Sequence, residues 1–195
     1  MTSKIYNILE WITKFAYVNL LWIIFTLLGG VILGFYPATT AMFAIIRDWL
    51  RGRSDLPVLQ TLWKYYKLDF LKSNLLGIFL NVLLALIAAD IFYITLNEQL
   101  TWTYIPLFAF ILIVALFLFF IFPSFAHFDL KVIPLIKNAF LIMIINPVYS
   151  FLMIVSLVSA YFIMQSVPAL FFIFGSTTYA FITTWLSQHA FEKIQ

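Results

Sequence analysis

The stretch GFYPATTAMFAIIRDWLRGR, residues 34–53, decides how the chain is organised, because a long apolar run gives way here to charge. Pro37 has no amide hydrogen and disfavours helix in the residue before it, so a first helix is predicted to end or kink at Tyr36. Thr39 or Thr40 can then cap a new helix, because a threonine hydroxyl accepts a bond from an unpaired amide of the first turn. The stretch therefore predicts a junction between a membrane span and a charged surface segment.

The residues after Pro37 have the pattern of an amphipathic helix. The apolar positions at helical spacing are Met42, Ile45, Ile46 and Trp49, and the charged positions off that face are Arg47, Asp48 and Arg51. Such a helix is better suited to a membrane interface than to crossing the bilayer. A second amphipathic helix is predicted to follow Pro57, so that residues 38–72 form a helical hairpin on the cytoplasmic surface.

The composition is that of an integral membrane protein. Of the 195 residues, 65% are hydrophobic and 10% are charged, and the mean hydropathy is +1.06. These values lie far outside the range of soluble domains. The chain contains no cysteine, which excludes disulfides and thiolate metal or redox sites.

Five apolar segments are long enough to cross a hydrocarbon core about 30 Å thick, which predicts an all-α, polytopic helix bundle in one membrane domain. Their approximate bounds are 15–35, 74–96, 105–123, 139–164 and 167–186. The fourth span is expected to kink at Asn146 and Pro147. Only a short join separates the last two spans, so they are expected to pack as an antiparallel hairpin.

The loops differ in Lys and Arg content, which predicts the orientation. Basic residues concentrate between the first and second spans and in the loop 124–138, whereas the loops at 97–103 and 165–167 contain none. The positive-inside rule therefore places the Pro37 region, the loop 124–138 and the C-terminus in the cytoplasm, and the N-terminus outside. Lys4 and Lys14 favour an alternative, in which residues 1–14 lie inside and Pro37 heads a re-entrant segment after which four full spans remain.

Three segments resemble the YesL-like family of small bacterial integral membrane proteins. They are GFYPATTAMFAIIRDWLRG (34–52), LWKYYKLDFLKSNLLG (62–77) and FPSFAHFDLKVIPLIKNAFL (122–141). The family has no assigned chemistry. Because members are often encoded beside carbohydrate ABC importers, the resemblance implies an accessory or regulatory role, with the permease subunits of such an importer as partner.

Within these motifs, the candidates for partner interaction or structure are Gly34, Pro37, Thr39, Thr40, Arg47, Trp49, Asn74 and Asp129. Arg47 stands out, because its guanidinium is a planar fork suited to a carboxylate, a phosphate or helix-end carbonyls. Asp129 is the favoured internal partner, ahead of Glu192 and Asp69. The ring of Trp49 is expected to be buried at the cytoplasmic interface or against the spans.

Asp90 is the one acidic residue well inside a predicted span, where acids are costly and usually paired or functional. We expect it to pair with Lys14, with a proton-relay or substrate role as the alternative. Other polar residues of the spans either line a polar path or bond across helix interfaces. They are Asn19, Asn81, Asn146, Ser176, Thr177 and Thr178.

No phosphate loop, HExxH or GxSxG motif is present, so we expect no enzyme activity and no cofactor. His127 with Asp129 offers a weak metal-binding pattern, for which a polar loop pair is the favoured interpretation. Nucleic acid is not an expected partner, whereas the lipid bilayer is. The leading hypothesis is a non-enzymatic accessory protein, and the alternative is a small transporter or channel.

Overall fold

A computed structural model describes residues 2–96 and 102–192, and in these ranges it contains helices, turns and no strand. The chain forms α1 (Thr2–Leu28), α2 (Ile32–Leu50), α3 (Val58–Leu68), α4 (Phe70–Leu96), α5 (Tyr104–His127), α6 (Val132–Ile145), α7 (Pro147–Gln165) and α8 (Pro168–Glu192).

Five of the helices are long and apolar enough to cross a membrane, which confirms the predicted all-α, five-span architecture. These spans are Ile5–Leu28, Phe70–Leu96, Tyr104–His127, Pro147–Gln165 and Pro168–Glu192. Most of their side chains face outward, as expected for helices surrounded by lipid. The short connection between α7 and α8 brings these two helices together, as predicted.

The first helix ends earlier than the sequence suggested, at Leu28 rather than Tyr36. Gly30 and Val31 have positive φ angles of 71° and 65°, so the chain reverses at residues 29–31. The α-carbon of Gly34 then lies so close to Gly29 that a β-carbon on Gly29 would approach it to 2.3 Å. Gly30 and Val31 therefore form the left-handed turn together, and Gly29 and Gly34 allow the close approach of α1 to α2.

Pro37 does not end a helix, because α2 continues through it. The hydroxyls of Thr39 and Thr40 donate to the carbonyls of Phe35 and Pro37 within α2, so the two threonines are not caps. Side-chain hydroxyls and neighbouring helices make a proline tolerable inside a membrane helix. The break that we expected at Pro37 occurs instead at the preceding glycines.

The segment after the first span does fold as two helices, but α2 is central rather than interfacial. It contacts α1, α3, α4, α5 and α8. The predicted apolar face, from Met42 to Trp49, is buried, and so are Phe43 and Asp48 on other faces. The smaller α3 lies on the surface, with Leu62 and Tyr66 buried and Trp63 about half exposed.

The predicted fourth span is broken rather than kinked. Helix α6 ends at Ile145, and α7 begins at Pro147. Between them Asn146 has non-helical dihedral angles (φ −119°, ψ 59°). This is expected, because a proline disfavours the helical conformation in the residue before it. Only α7 has the length of a span, because α6 contains 14 residues.

The start of α1 and the last turn of α8 lie at the same end of the bundle. The Trp11 ring packs against Trp49 with ring centroids 5.6 Å apart, which places the start of α1 beside the end of α2. Phe191, near the end of α8, packs against His127 at the end of α5. We call this the charged end. The start of α1 and the end of α8 therefore share one end of the bundle because α2 returns beside α1, whereas the sequence predicted the two termini on opposite sides of the membrane.

Candidate functional site

The charged end is organised around Asp48, which is completely buried in the last turn of α2. A carboxylate near a helix C-terminus is opposed by the helix dipole and, when buried, by loss of hydration. Its location is therefore acceptable only with strong donors around it.

Four hydrogen bonds from three side chains supply those donors. Arg47 donates to Asp48 Oδ1 through Nε (3.1 Å) and Nη2 (2.8 Å). Arg53 donates to the same oxygen at 2.7 Å, and Tyr65 donates its hydroxyl hydrogen to Oδ2 at 2.6 Å. The network joins α2, the turn after it and α3 into one unit.

Arg47 also ties this unit to α5. Its Nη1 donates to the backbone carbonyl of Ala126, in the last turn of that helix. Its acceptors are thus a carboxylate and a helix-end carbonyl, two of the kinds that the sequence suggested for a guanidinium. The predicted partner is wrong, because the fork binds Asp48 and not Asp129, Glu192 or Asp69. The neighbouring carboxylate is closer than any of these alternatives.

A cavity of about 200 Å³ opens beside this network, between α2, α3, α4 and the end of α5. Its wall contains both signs of charge together with hydroxyls and aromatic rings. The lining residues are Thr40, Ala44, Arg47, Tyr65, Leu68, Asp69, Lys72, Phe125, Ala126, His127, Phe128 and Asp129. We call it the charged cavity.

Lys72 is the cation of the charged cavity with the most unused bonding capacity. Its ammonium lies 3.6 Å from the carboxylate of Asp129, which is itself fully exposed, and 4.7 Å from the ring centre of Phe125. Only 23% of the Lys72 side chain is exposed. An ammonium has three donors, so this loose pairing leaves capacity for a further acceptor.

Burial shifts the pKa values of two groups at the cavity wall. Desolvation raises the pKa of Asp69 above its ordinary value, and nearby Lys72 only partly opposes this. Desolvation and the hydrogen bond to Asp48 raise the pKa of the Tyr65 hydroxyl, which therefore remains a donor.

The cavity gathers three of the predicted site residues, Thr40, Arg47 and Asp129. The Thr40 hydroxyl also bonds to Ser73 of α4 at 2.7 Å. Trp49 is buried, as predicted, in contact with Trp11 and Phe15 of α1.

The other motif residues lie elsewhere and have structural contacts. Gly34 packs against α1, Pro37 is inside α2, and the Asn74 amide donates to the carbonyl of Phe70 in its own helix.

His127 and Asp129 face different side chains. A ring nitrogen of His127 lies 3.1 Å from Arg51 Nη2, and Asp129 faces Lys72. Within residues 2–96 and 102–192, no group of three His, Cys, Asp or Glu side chains is placed to hold a metal ion.

Asp90 and Lys14 are far apart, so the predicted pair is wrong. Lys14 forms an ion pair with Glu10 at 2.6 Å, one turn away on α1 near the charged end. Asp90 lies in the opposite half of the bundle, on an exposed face of α4. The error follows from the assumed orientation of α1.

Sequence reasoning missed Asp48, Tyr65 and Lys72 as parts of the site. One signal was available, because Asp48 is the single acid among the three arginines of residues 47–53. A carboxylate in such a cluster is a natural centre for an ion network.

Comparison with known proteins identifies the family. A family model described as a protein of unknown function, DUF624, matches residues 15–91. The uncharacterized protein YesV of Bacillus subtilis (strain 168) is 34% identical over 152 residues, covering 76% of this chain and 72% of YesV. The chain belongs to the DUF624 family.

Two further relatives confirm the resemblance to YesL. The uncharacterized protein YteU of the same organism is 41% identical over 147 residues, which cover 74% of this chain and 65% of YteU, just under two thirds of its length. The uncharacterized protein YesL is 29% identical over 186 residues, covering 94% and 88%. No solved structure gives a significant match.

Proposed function

We propose that this DUF624 protein is a non-enzymatic accessory or regulatory membrane protein that recognises a partner through the charged cavity. The observation that carries the proposal is the state of Lys72: it is mostly buried, yet its carboxylate neighbour is 3.6 Å away and fully exposed. A buried cation with such weak pairing favours binding of an acidic group from outside.

The surroundings of Lys72 support binding rather than catalysis. Arg47 is held by Asp48, Tyr65 and the Ala126 carbonyl, so it forms a fixed wall. The His127 ring nitrogen faces Arg51. It faces neither a hydroxyl group nor a pair of carboxylates that could bind a water molecule. This arrangement lacks the nucleophile and base pairing of a hydrolytic site.

The proposed partner is a membrane transport complex with an acidic segment on its cytoplasmic side. We place the charged end in the cytoplasm, because Arg47, Arg53 and Lys72 lie there together with Lys14. The resemblance to YesL-like proteins favours the permease subunits of a carbohydrate ABC importer.

Affinity purification in mild detergent, from cells with active sugar uptake, tests this proposal. We expect a transporter subunit to co-purify, and its recovery to fall about tenfold or more in Lys72→Ala, as loss of a charged hydrogen bond predicts. Lys67→Ala is the matched control, because Lys67 is exposed on α3 and contacts the Trp63 ring. Recovery of no transporter subunit, or equal recovery from the Lys72 and wild-type proteins, would reject the proposal.

The second candidate function, a small transporter or channel, is favoured by polar groups inside the bundle. The buried hydroxyls of Ser124, Thr184 and Ser187 have no hydrogen-bond partner among the described residues. Such groups in α5 and α8 are suited to bind water or a polar solute. Solute flux into liposomes that contain only this protein would favour this function over the accessory one.

A further inference from the structure

The half of α4 far from the charged end is left uncovered by the other helices. Buried positions of α4 are Ser73, Leu76, Gly77, Leu80 and Ile94. Between Leu80 and Ile94 every side chain is exposed or half-exposed, and Asp90 is one of the exposed ones. None of the hydrogen bonds or ion pairs in the described parts of the chain involves Asp90.

Asp90 is at the wall of a cavity of about 330 Å³ between α4 and the start of α5. The other lining residues are Tyr93, Ile94, Thr103, Pro106, Leu107 and Phe110. The cavity is therefore mainly apolar, with one carboxylate. Its volume is at the lower limit for ligand pockets, which suits one long side chain better than a whole lipid.

An acid at this depth is costly without a partner of opposite charge. Within residues 2–96 and 102–192, no Lys or Arg forms an ion pair with Asp90. Lys137 lines a neighbouring cavity whose α4 residues are Phe79 and Leu83, and Phe110 lines both cavities. Leu83 precedes Asp90 by 7 residues, or about 10 Å along a helix.

A second copy of the chain does not supply the missing positive charge near Asp90. Copies inserted in the same direction place their basic residues at the same depths, so the cavity that Lys137 lines in one copy ends about 10 Å from the depth of Asp90 in the other. The complementary charge has to come from a different protein.

We propose that this face of α4 docks a transmembrane helix of a different protein, and that a Lys or Arg side chain of that helix enters the cavity to pair with Asp90. The face lies at the opposite end of the molecule from the charged cavity. A failed test here therefore leaves the proposed function standing, and the reverse also holds.

Site-specific photo-crosslinking in intact membranes tests the docking. The probe amino acid replaces Leu86, which is exposed one turn before Asp90, and a control probe replaces Phe162, which is exposed on α7. We expect an adduct with another membrane protein from position 86 that is absent from position 162. Asp90→Asn should lower its yield about threefold to thirtyfold, the range that polar contacts between membrane helices supply, whereas Asp90→Glu should retain it.

The identity of the captured helix completes the test. We expect it to contain a Lys or Arg at the depth of Asp90, and we expect Asp90→Lys combined with an acidic substitution of that residue to restore the adduct. Adducts with lipid only, a self-adduct, a partner without such a basic residue, or a yield unaffected by Asp90→Asn would each overturn the proposal.

Discussion

Arg47 contacts acceptors from three parts of the chain: the adjacent carboxylate of Asp48, the Tyr65 hydroxyl of α3 and the Ala126 carbonyl of α5. A lysine at this position keeps the charge but has a single nitrogen, which cannot reach all three acceptors. The geometry of the guanidinium, and not its charge alone, therefore holds the charged end together.

We expect Arg47→Lys to lower stability nearly as much as Arg47→Ala, by about 1.5–3 kcal/mol, the usual cost of losing hydrogen bonds to a charged group. Thermal melting of the purified protein in detergent measures this. Arg53→Lys is the control, because Arg53 is 54% exposed and makes one bond to Asp48, so its change should cost less than about 1 kcal/mol. Wild-type melting of Arg47→Lys would mean that only the charge matters.

At this scale the sequence identified the correct donor and the wrong acceptor. Arg47 was recognisable as a forked donor from its chemistry. Asp48 was assigned to the polar side of an interfacial helix, because the apolar pattern of residues 42–49 does not reveal that α3 and α5 cover that side as well. Tertiary contacts decide which charges are buried, and a single sequence does not specify them.

Among the elements, the α1–α2 hairpin depends on how closely its helices approach. A β-carbon on Gly34 would lie 2.3 Å from the Thr26 carbonyl oxygen, so only glycine fits without movement of the backbone. By contrast, a β-carbon on Gly175 of α8 would meet nothing closer than 3.8 Å.

Gly34→Ala should therefore destabilise the protein by about 1–3 kcal/mol, the typical cost of overpacking. Gly175→Ala, inside a helix with space around it, should be neutral or stabilising by up to about 1 kcal/mol. Comparing the two melting temperatures under the same conditions provides the measurement. Equal effects of the two substitutions would show that the helices can separate at little cost.

The same hairpin explains why some element boundaries were predictable and others were not. The spans from α4 onward follow from apolar length and local breaks, and the break at Asn146 follows from Pro147. The first boundary was misplaced because two breakers compete within nine residues, the Gly29–Gly30 pair and Pro37. The glycine pair forms the turn because Gly30 readily adopts a positive φ, while α2 continues through Pro37 with neighbouring helices packed around it.

For the whole molecule, the return of α2 beside α1 changes the topology. From the sequence alone, the basic residues of the first loop and the pair Lys4 and Lys14 predict opposite orientations of the first span. This conflict arises only if the chain does not cross back between the two groups. In the structure Lys14, Arg47 and Lys72 all lie at the charged end, so the conflict disappears. The positive-inside rule then favours one orientation, with the charged end in the cytoplasm.

Single cysteines in this cysteine-free chain test that arrangement, with a membrane-impermeant thiol reagent applied to intact cells. Asn7→Cys, exposed on α1 before Trp11, and Ser54→Cys, in the turn after α2, should be labelled only after the membrane is opened. Gln165→Cys, exposed at the turn between α7 and α8, should be labelled from outside and serves as the control for access. If Asn7→Cys is labelled from outside while Ser54→Cys is protected, then α1 crosses alone, the Trp11–Trp49 contact does not form in the membrane, and the buried position of α2 is wrong as well.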